Sequence, residues 1–122
     1  MFNETFTYED YNGETRTETC YFHFSTSEAI RLESSVEGGL SKKLEEIVKA
    51  KDTVKMVKFF EDLILGSYGI KTDDGRQFKK SEEIKTAFMQ SPMYDMLLEK
   101  LLSEEGYAEA FISGIAPKQN KK

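Results

Sequence analysis

One cysteine and one histidine, Cys20 and His23, are the first residues whose types and spacing could support chemistry. An imidazole beside a thiol can remove its proton and activate it as a nucleophile. Both residues lie in a segment that predicts a β-strand, and residues of opposite parity on a strand point to opposite faces. One cysteine and one histidine also fall short of the four ligands of a structural zinc site. The sequence therefore favours separate structural roles for the two residues.

Two glycine-containing segments share residue types with ligand-binding loops. Asp73-Asp74-Gly75 has the residues of a calcium loop but not the D-x-D-x-D-G spacing. Gly38 to Lys42 pairs glycines with serine and lysine, but it lacks the G-x-x-x-x-G-K-[ST] order and does not follow a strand. We interpret the first segment as a solvated turn and the second as a break between helices.

The 22 acidic residues offer many carboxylate pairs, but no apolar setting marks one whose pKa would be raised for acid-base catalysis. The sequence contains neither G-x-S-x-G nor H-E-x-x-H. We therefore predict no catalytic residue, no cofactor and no metal ligand, and we expect that the protein is not an enzyme.

The composition of the 122 residues is that of a globular chain, with 39% hydrophobic, 32% charged and 12% aromatic residues. The net charge of -5 disfavours sequence-independent nucleic-acid binding. The sequence has no apolar run of about 18 residues and no basic-then-apolar N-terminus, so we expect no membrane span and no signal peptide. We predict one α+β domain over residues 1–116 and a polar, disordered tail over residues 117–122.

The N-terminal segment alternates with a period of two, which predicts a β-hairpin around Asn12-Gly13. A two-residue loop there would pair even-numbered with odd-numbered residues. A three-residue loop, Tyr11-Asn12-Gly13, instead pairs residues whose numbers sum to 24 and closes with a left-handed glycine. This register places six even-numbered residues on one face, namely Phe2, Phe6, Tyr8, Cys20, Phe22 and Phe24.

The longest apolar stripe predicts a central helix of about four turns between Asp52 and Gly69. Asp52 or Thr53 can cap its start, and Gly69 suits a left-handed position after its end. Phe60 and Ile64 lie at the centre of the stripe, so we expect both to be almost fully buried. The number of large apolar residues further predicts burial on more than one side.

Shorter helices surround this central one in the predicted fold. Ser25 with Glu28 forms a capping box, Ser81 begins another helix, and Ser91-Pro92 provides an N-cap and a first helical residue. The connection from residue 70 to residue 80 has room for a short strand. The overall prediction is an α+β fold, an N-terminal hairpin packed on about five to six short helices. Further helices are expected over residues 41–51 and 107–115. The first has Leu40, Leu44, Ile47 and Val48 on one face. The residues expected to face the core in the later helices are Ile84, Ala87, Phe88, Phe111, Ile112 and Ile115.

Four methionines lie at Met56, Met89, Met93 and Met96. Methionine adapts its shape and is over-used on surfaces that bind varied helices. Filling gaps in the core is the alternative that this residue type more often serves.

Six short segments carry a resemblance through their order and spacing: Thr7 to Gly13, Tyr21 to Phe24, Gly38 to Leu40, Tyr68-Gly69, Asp74 to Phe78 and Ala110 to Ile115. Together they resemble a family of small proteins from phage and prophage tail gene clusters, the tail assembly chaperones. The resemblance runs from about Phe6 to Pro117.

The resemblance implies a non-enzymatic role in building long non-contractile tails. Such chaperones coat helical segments of the tape measure protein in the bacterial host cytoplasm and are absent from the mature virion. Self-association is a further open expectation, and a small structural protein of the tail or of the head-tail connector is the main alternative. A regulatory adaptor that binds a host protein is a second alternative. The residues that we expect to bind the partner are Phe88, Met89, Met93, Tyr94 and Met96.

Overall fold

The computed structural model describes residues 1–35 and 38–117, and in these residues it has six α-helices and four β-strands. The α+β prediction is therefore confirmed. Residues 118–122 lie outside the described residues, so the predicted division at residue 116 stays a prediction. The elements in chain order are β1 (Phe2–Glu9), β2 (Thr15–Phe22), α1 (Thr26–Ser35), α2 (Gly39–Ala50), α3 (Thr53–Ser67), β3 (Tyr68–Lys71), β4 (Phe78–Lys79), α4 (Glu82–Met89), α5 (Pro92–Ser103) and α6 (Tyr107–Ile115).

The N-terminal hairpin has the three-residue loop that parity predicts. Every pair between β1 and β2 has residue numbers that sum to 24, from Phe2 with Phe22 to Glu9 with Thr15. The amide of Gly13 donates to the carbonyl of Asp10 at 2.9 Å, and Gly13 has a φ of 83°. This is a tight turn followed by a left-handed glycine, which is the bulge expected for this loop length.

The two faces of the hairpin differ as predicted. All six even-numbered aromatic and cysteine positions are buried or half-buried, and Phe6 and Phe22 are among the most buried side chains of the core. On the opposite face, the hydroxyl groups of Thr5 and Thr19 hydrogen-bond at 2.8 Å, and those of Thr7 and Thr17 at 3.0 Å. The hairpin thus covers the helices with one face and meets solvent with the other.

Two short strands extend the hairpin into a four-stranded antiparallel sheet in the order β1-β2-β3-β4. β3 begins directly after α3 and pairs Gly69 with Tyr21 of β2. The predicted role of Gly69 as a left-handed helix cap is therefore wrong, because α3 ends at Ser67 and Tyr68 is already extended, with φ -68° and ψ 140°. A Cβ atom on Gly69 would lie 2.6 Å from a ring carbon of Phe78, so the glycine permits a close approach within the sheet.

Hydrogen bonds confirm the predicted helix starts at Ser25, Asp52 and Ser81, whereas Ser91 precedes Pro92 at the start of α5 without a side-chain capping bond. The Ser25 amide donates to the Glu28 carboxylate at 2.8 Å, and the Glu28 amide donates to Ser25 Oγ at 3.2 Å. Asp52 caps α3 by accepting from the amide of Lys55, and Ser81 caps α4 by accepting from the amide of Ile84. These side chains satisfy amides that have no partner within the helix.

One apolar core joins the sheet to the helices, and α3 packs against α2 and α5 within it. Phe60 and Ile64 are almost fully buried, at 1% and 0% exposed, which confirms that part of the prediction. The predicted burial of Ala87 is wrong, since it is exposed, and Val48 is exposed although it shares a face of α2 with the buried Leu44. Neighbouring elements cover only one stripe along a helix, and both residues lie outside that stripe.

Candidate partner-binding surface

The structure does not gather the five predicted partner-binding residues into one exposed patch. Phe88, Met93 and Tyr94 belong to the buried core, Met96 is half-buried, and Met89 is 40% exposed. We expected these residues to lie on an open apolar surface, and for the three buried residues this expectation is wrong. Whether any of the five contacts a partner stays a prediction.

Contacts with the sheet and with α3 accompany the burial of Phe88, Met93 and Tyr94. The ring of Phe88 stacks on Tyr68 of β3, with centroids 4.1 Å apart and planes 19° from parallel. The sulfur of Met93 lies 3.4 Å from Cys20 Sγ, and the hydroxyl of Tyr94 donates to Glu61 at 3.4 Å. The helices α4 and α5 do carry more apolar side chains than they need for packing on each other, but Phe88 and Met93 pack against β3 and β2 instead of facing solvent.

An open apolar groove lies on a different side of the molecule, between α2 and α6. It has a volume of about 650 Å³, and we name it the α2–α6 groove. Leu44 and Ile112 are buried at its floor, while Val48 is 51% exposed. Its polar lining consists of Glu45, Lys49, Glu109 and Ser113.

A smaller cavity of about 310 Å³ continues the α2–α6 groove, and the two share Ile112 and Ser113. In the smaller cavity Leu40 lies near the end of α6, whereas in the larger groove Val48 lies near Glu109. The two helices therefore run antiparallel along the walls. The other residues of the smaller cavity are Phe24, Ala29, Leu32, Glu33, Ile115, Ala116 and Pro117.

Contacts outside the groove hold the two wall helices in place. The amide of Leu40, in the first turn of α2, donates to Glu33 of α1 at 2.9 Å. In α6, the Tyr107 hydroxyl donates to Glu4 of β1 at 2.6 Å, and Phe111 packs edge-on against Phe22. Burial raises the pKa of Tyr107, and its hydrogen bond to Glu4 raises that pKa further, so the hydroxyl remains a donor at neutral pH.

The residues that could do chemistry lie in separate surroundings. Cys20 is buried in the core, and burial raises the pKa of its thiol to about 12. His23, which follows β2, packs edge-on against Phe78 of β4, and burial lowers the pKa of its imidazole. Among residues 1–35 and 38–117, no three His, Cys, Asp or Glu side chains form a group that could hold a metal ion.

None of the described helices combines the length and apolar character needed to cross a membrane. In a comparison with families of known proteins, the phage tail assembly chaperone family matches residues 1–122, which is the whole sequence. The chain belongs to this family. The resemblance seen in the sequence is thereby confirmed. No curated protein and no solved structure matches the chain.

Membership of the tail assembly chaperone family changes how the surface is interpreted. A chaperone needs a surface that an unassembled partner can cover and leave again. The α2–α6 groove leaves one apolar side chain, Val48, 51% exposed above a buried apolar floor, whereas Phe88, Met93 and Tyr94 are already covered. Sequence reasoning missed this groove, because the exposure of Val48 beside the buried Ile47 depends on how distant elements pack against α2.

Proposed function

We propose that this protein binds helical segments of the phage tape measure protein during tail assembly and catalyses no reaction. The observation that carries the proposal is the family match over residues 1–122. The partner, the cytoplasm of the bacterial host as the place of action, and release before the virion is complete belong to the proposal.

Physical properties of the chain support a shielding role. A long helix with a bare apolar face aggregates, and a small domain with an accessible apolar groove can cover such a face. The net charge of -5 favours solubility of the resulting complex. Binding must be reversible, because the tail tube later replaces the chaperone. A dissociation constant near a micromolar, about -8 kcal/mol, would meet both requirements.

Co-expression with the tape measure protein of the same tail gene cluster tests this function. We expect the soluble fraction of the tape measure protein to rise when this chain is present, and the two to co-purify. A tape measure protein that is equally soluble alone would contradict the proposal. Mass spectrometry of purified virions adds a second test. Detection of this chain as a stoichiometric virion component would indicate a structural tail or connector protein instead.

A test of the surface predicted from the sequence requires a variant that leaves the core intact. Met93→Glu is unsuitable, because it would bury a carboxylate beside Cys20. Met89→Glu is suitable, since Met89 is 40% exposed, and Leu102→Glu is its control at 41% exposed. If the α4 surface contacts the partner, only the change at Met89 lowers co-purification. Equal co-purification of both variants would remove the α4 surface from the proposal.

A further inference from the structure

We infer that the α2–α6 groove is the site that receives the partner, and that its occupant is an amphipathic helix of about two to three turns with basic side chains flanking its apolar stripe. Because tape measure binding is itself proposed, this inference rests on the proposed function and adds a site and a recognition chemistry to it. Three features of the groove carry it: length, apolar floor and rim charge.

The length of the groove selects a short helical contact. Together with the smaller cavity that continues it, the groove has an α2 wall from Leu40 to Lys49, which spans about 14 Å at 1.5 Å per helical residue. A partner helix lying along this wall makes contact over about two to three turns, which suits anchors at positions i, i+3 or i+4, and i+7. The contact is short enough for a complex that must later come apart.

The apolar floor selects the kind of side chain that enters. Leu44 and Ile112 form a floor that the neighbouring helices already support, and Val48 stands 51% exposed at the wall. An apolar stripe laid into the groove would remove Val48 from water and contact the floor. Removing apolar surface from water at about 25 cal/mol per Å² provides the driving force.

The charged residues at the rim of the groove favour a partner helix with basic side chains beside its apolar stripe. Glu45 and Glu109 line the groove from opposite walls, and Lys49 is the single basic residue of this lining. Within residues 1–35 and 38–117, neither Glu45 nor Glu109 forms an ion pair. Lysine or arginine on both sides of the partner's stripe would meet these carboxylates. Such rim charges set orientation and association rate more than affinity.

The first experiment places a charge in the groove. The probes are the full-length tape measure protein, captured by co-purification, and overlapping synthetic peptides of its sequence, followed by fluorescence anisotropy. Val48→Glu should weaken binding about tenfold or more, because the carboxylate would face the partner's apolar stripe. Val54→Glu is the matched control: it is the same change at a 79% exposed residue outside the groove, and it should leave binding within about twofold.

The second experiment tests the rim charge with two variants that have the same net charge as each other. Glu45→Lys and Glu46→Lys change the charge of α2 equally, but only Glu45 lines the groove. Glu45→Lys should slow association and weaken binding of peptides whose apolar stripe has basic flanks, with the difference shrinking at high salt. Equal effects of the two variants would show that only overall charge matters, and would overturn the rim assignment.

The outcomes separate this inference from the proposed function. If the unaltered protein captures the tape measure protein and Val48→Glu captures it equally well, the groove assignment is wrong while the function stands. If the unaltered protein captures neither the tape measure protein nor its peptides, the proposed function fails first. A dimer of this chain that Val48→Glu dissociates would identify a second copy as the occupant, and would also overturn the inference.

Discussion

Lys80 Nζ lies 2.9 Å from Glu28 Oε1 and joins the start of α1 to the segment between β4 and α4. The same ammonium group donates to the carbonyl of Gly66 at 2.8 Å and lies 4.9 Å from the ring centroid of Phe24. The Glu28 carboxylate also accepts from the Ser25 amide at 2.8 Å. One ion pair therefore fixes a helix start, the end of α3 and the end of the sheet together.

Replacing Glu28 by Gln should make stability less dependent on pH. Burial raises the pKa of Glu28, but the Ser25 amide and Lys80 lower it more, so its pKa is below the usual value. A carboxylate with a lowered pKa stabilises the fold above its unfolded pKa of about 4.3, and this contribution disappears as the pH falls through the folded pKa. Denaturant unfolding at pH 7 should show a loss of about 1 kcal/mol, since the side chain is partly exposed.

The exposed Glu82→Gln is the matched control for Glu28→Gln. Its side chain is 93% exposed and lies 4.0 Å from Lys85, so its replacement should change stability little at any pH. The Glu28 variant and the unaltered protein should differ less in their free energy of unfolding at acidic pH than at pH 7. An equal difference at both would contradict the electrostatic origin of the effect.

Phe60→Ala should destabilise the fold by roughly 3–5 kcal/mol, because it empties a large site at the centre of the core. The side chain is 1% exposed and shares the core with Leu63 and Ile64. Urea unfolding gives the measurement, with Val54→Ala on the exposed side of the same helix as control. A loss below about 1 kcal/mol would mean that α3 is peripheral to stability.

Gly69→Ala should destabilise the sheet more than Gly75→Ala does. A Cβ atom at Gly69 would lie 2.8 Å from the carbonyl oxygen of Lys79 as well as close to the Phe78 ring, so β3 and β4 must separate. At Gly75 a Cβ atom meets nothing within 4 Å, and the cost is only the strain of a positive φ, of order 1 kcal/mol. Comparable losses for the two variants, measured by urea unfolding, would refute the close-approach explanation.

The Cys20 thiol should resist modification in the folded protein. The thiolate is the reactive form, and burial raises the pKa of this thiol to about 12, so little thiolate exists at pH 8. An aromatic disulfide reagent should therefore react slowly with the native chain and rapidly after unfolding in guanidinium chloride. Rapid stoichiometric labelling of the native chain would show that the segment around Cys20 and Met93 opens readily.

The sequence by itself determined the features that depend on near neighbours along the chain. Parity in the hairpin excluded the two-residue loop, and the three-residue loop then predicted the pairing of Phe2 with Phe22 that places the six even-numbered residues on one face. The caps at Ser25, Asp52 and Ser81 were readable for the same reason, since each satisfies amides within three residues.

Only the tertiary structure decided which apolar side chains remain uncovered. β3 and β4, with 4 and 2 residues, are too short for a periodic signal, yet the pairing of β3 with β2 places Tyr68 against Phe88, one of the predicted binding residues, in the core. The α2–α6 groove likewise depends on helices that are separate in sequence, so Val48 is exposed while Ile47 is buried. A helix's apolar stripe is a local property, but the part of it that reaches solvent depends on how distant elements pack against it.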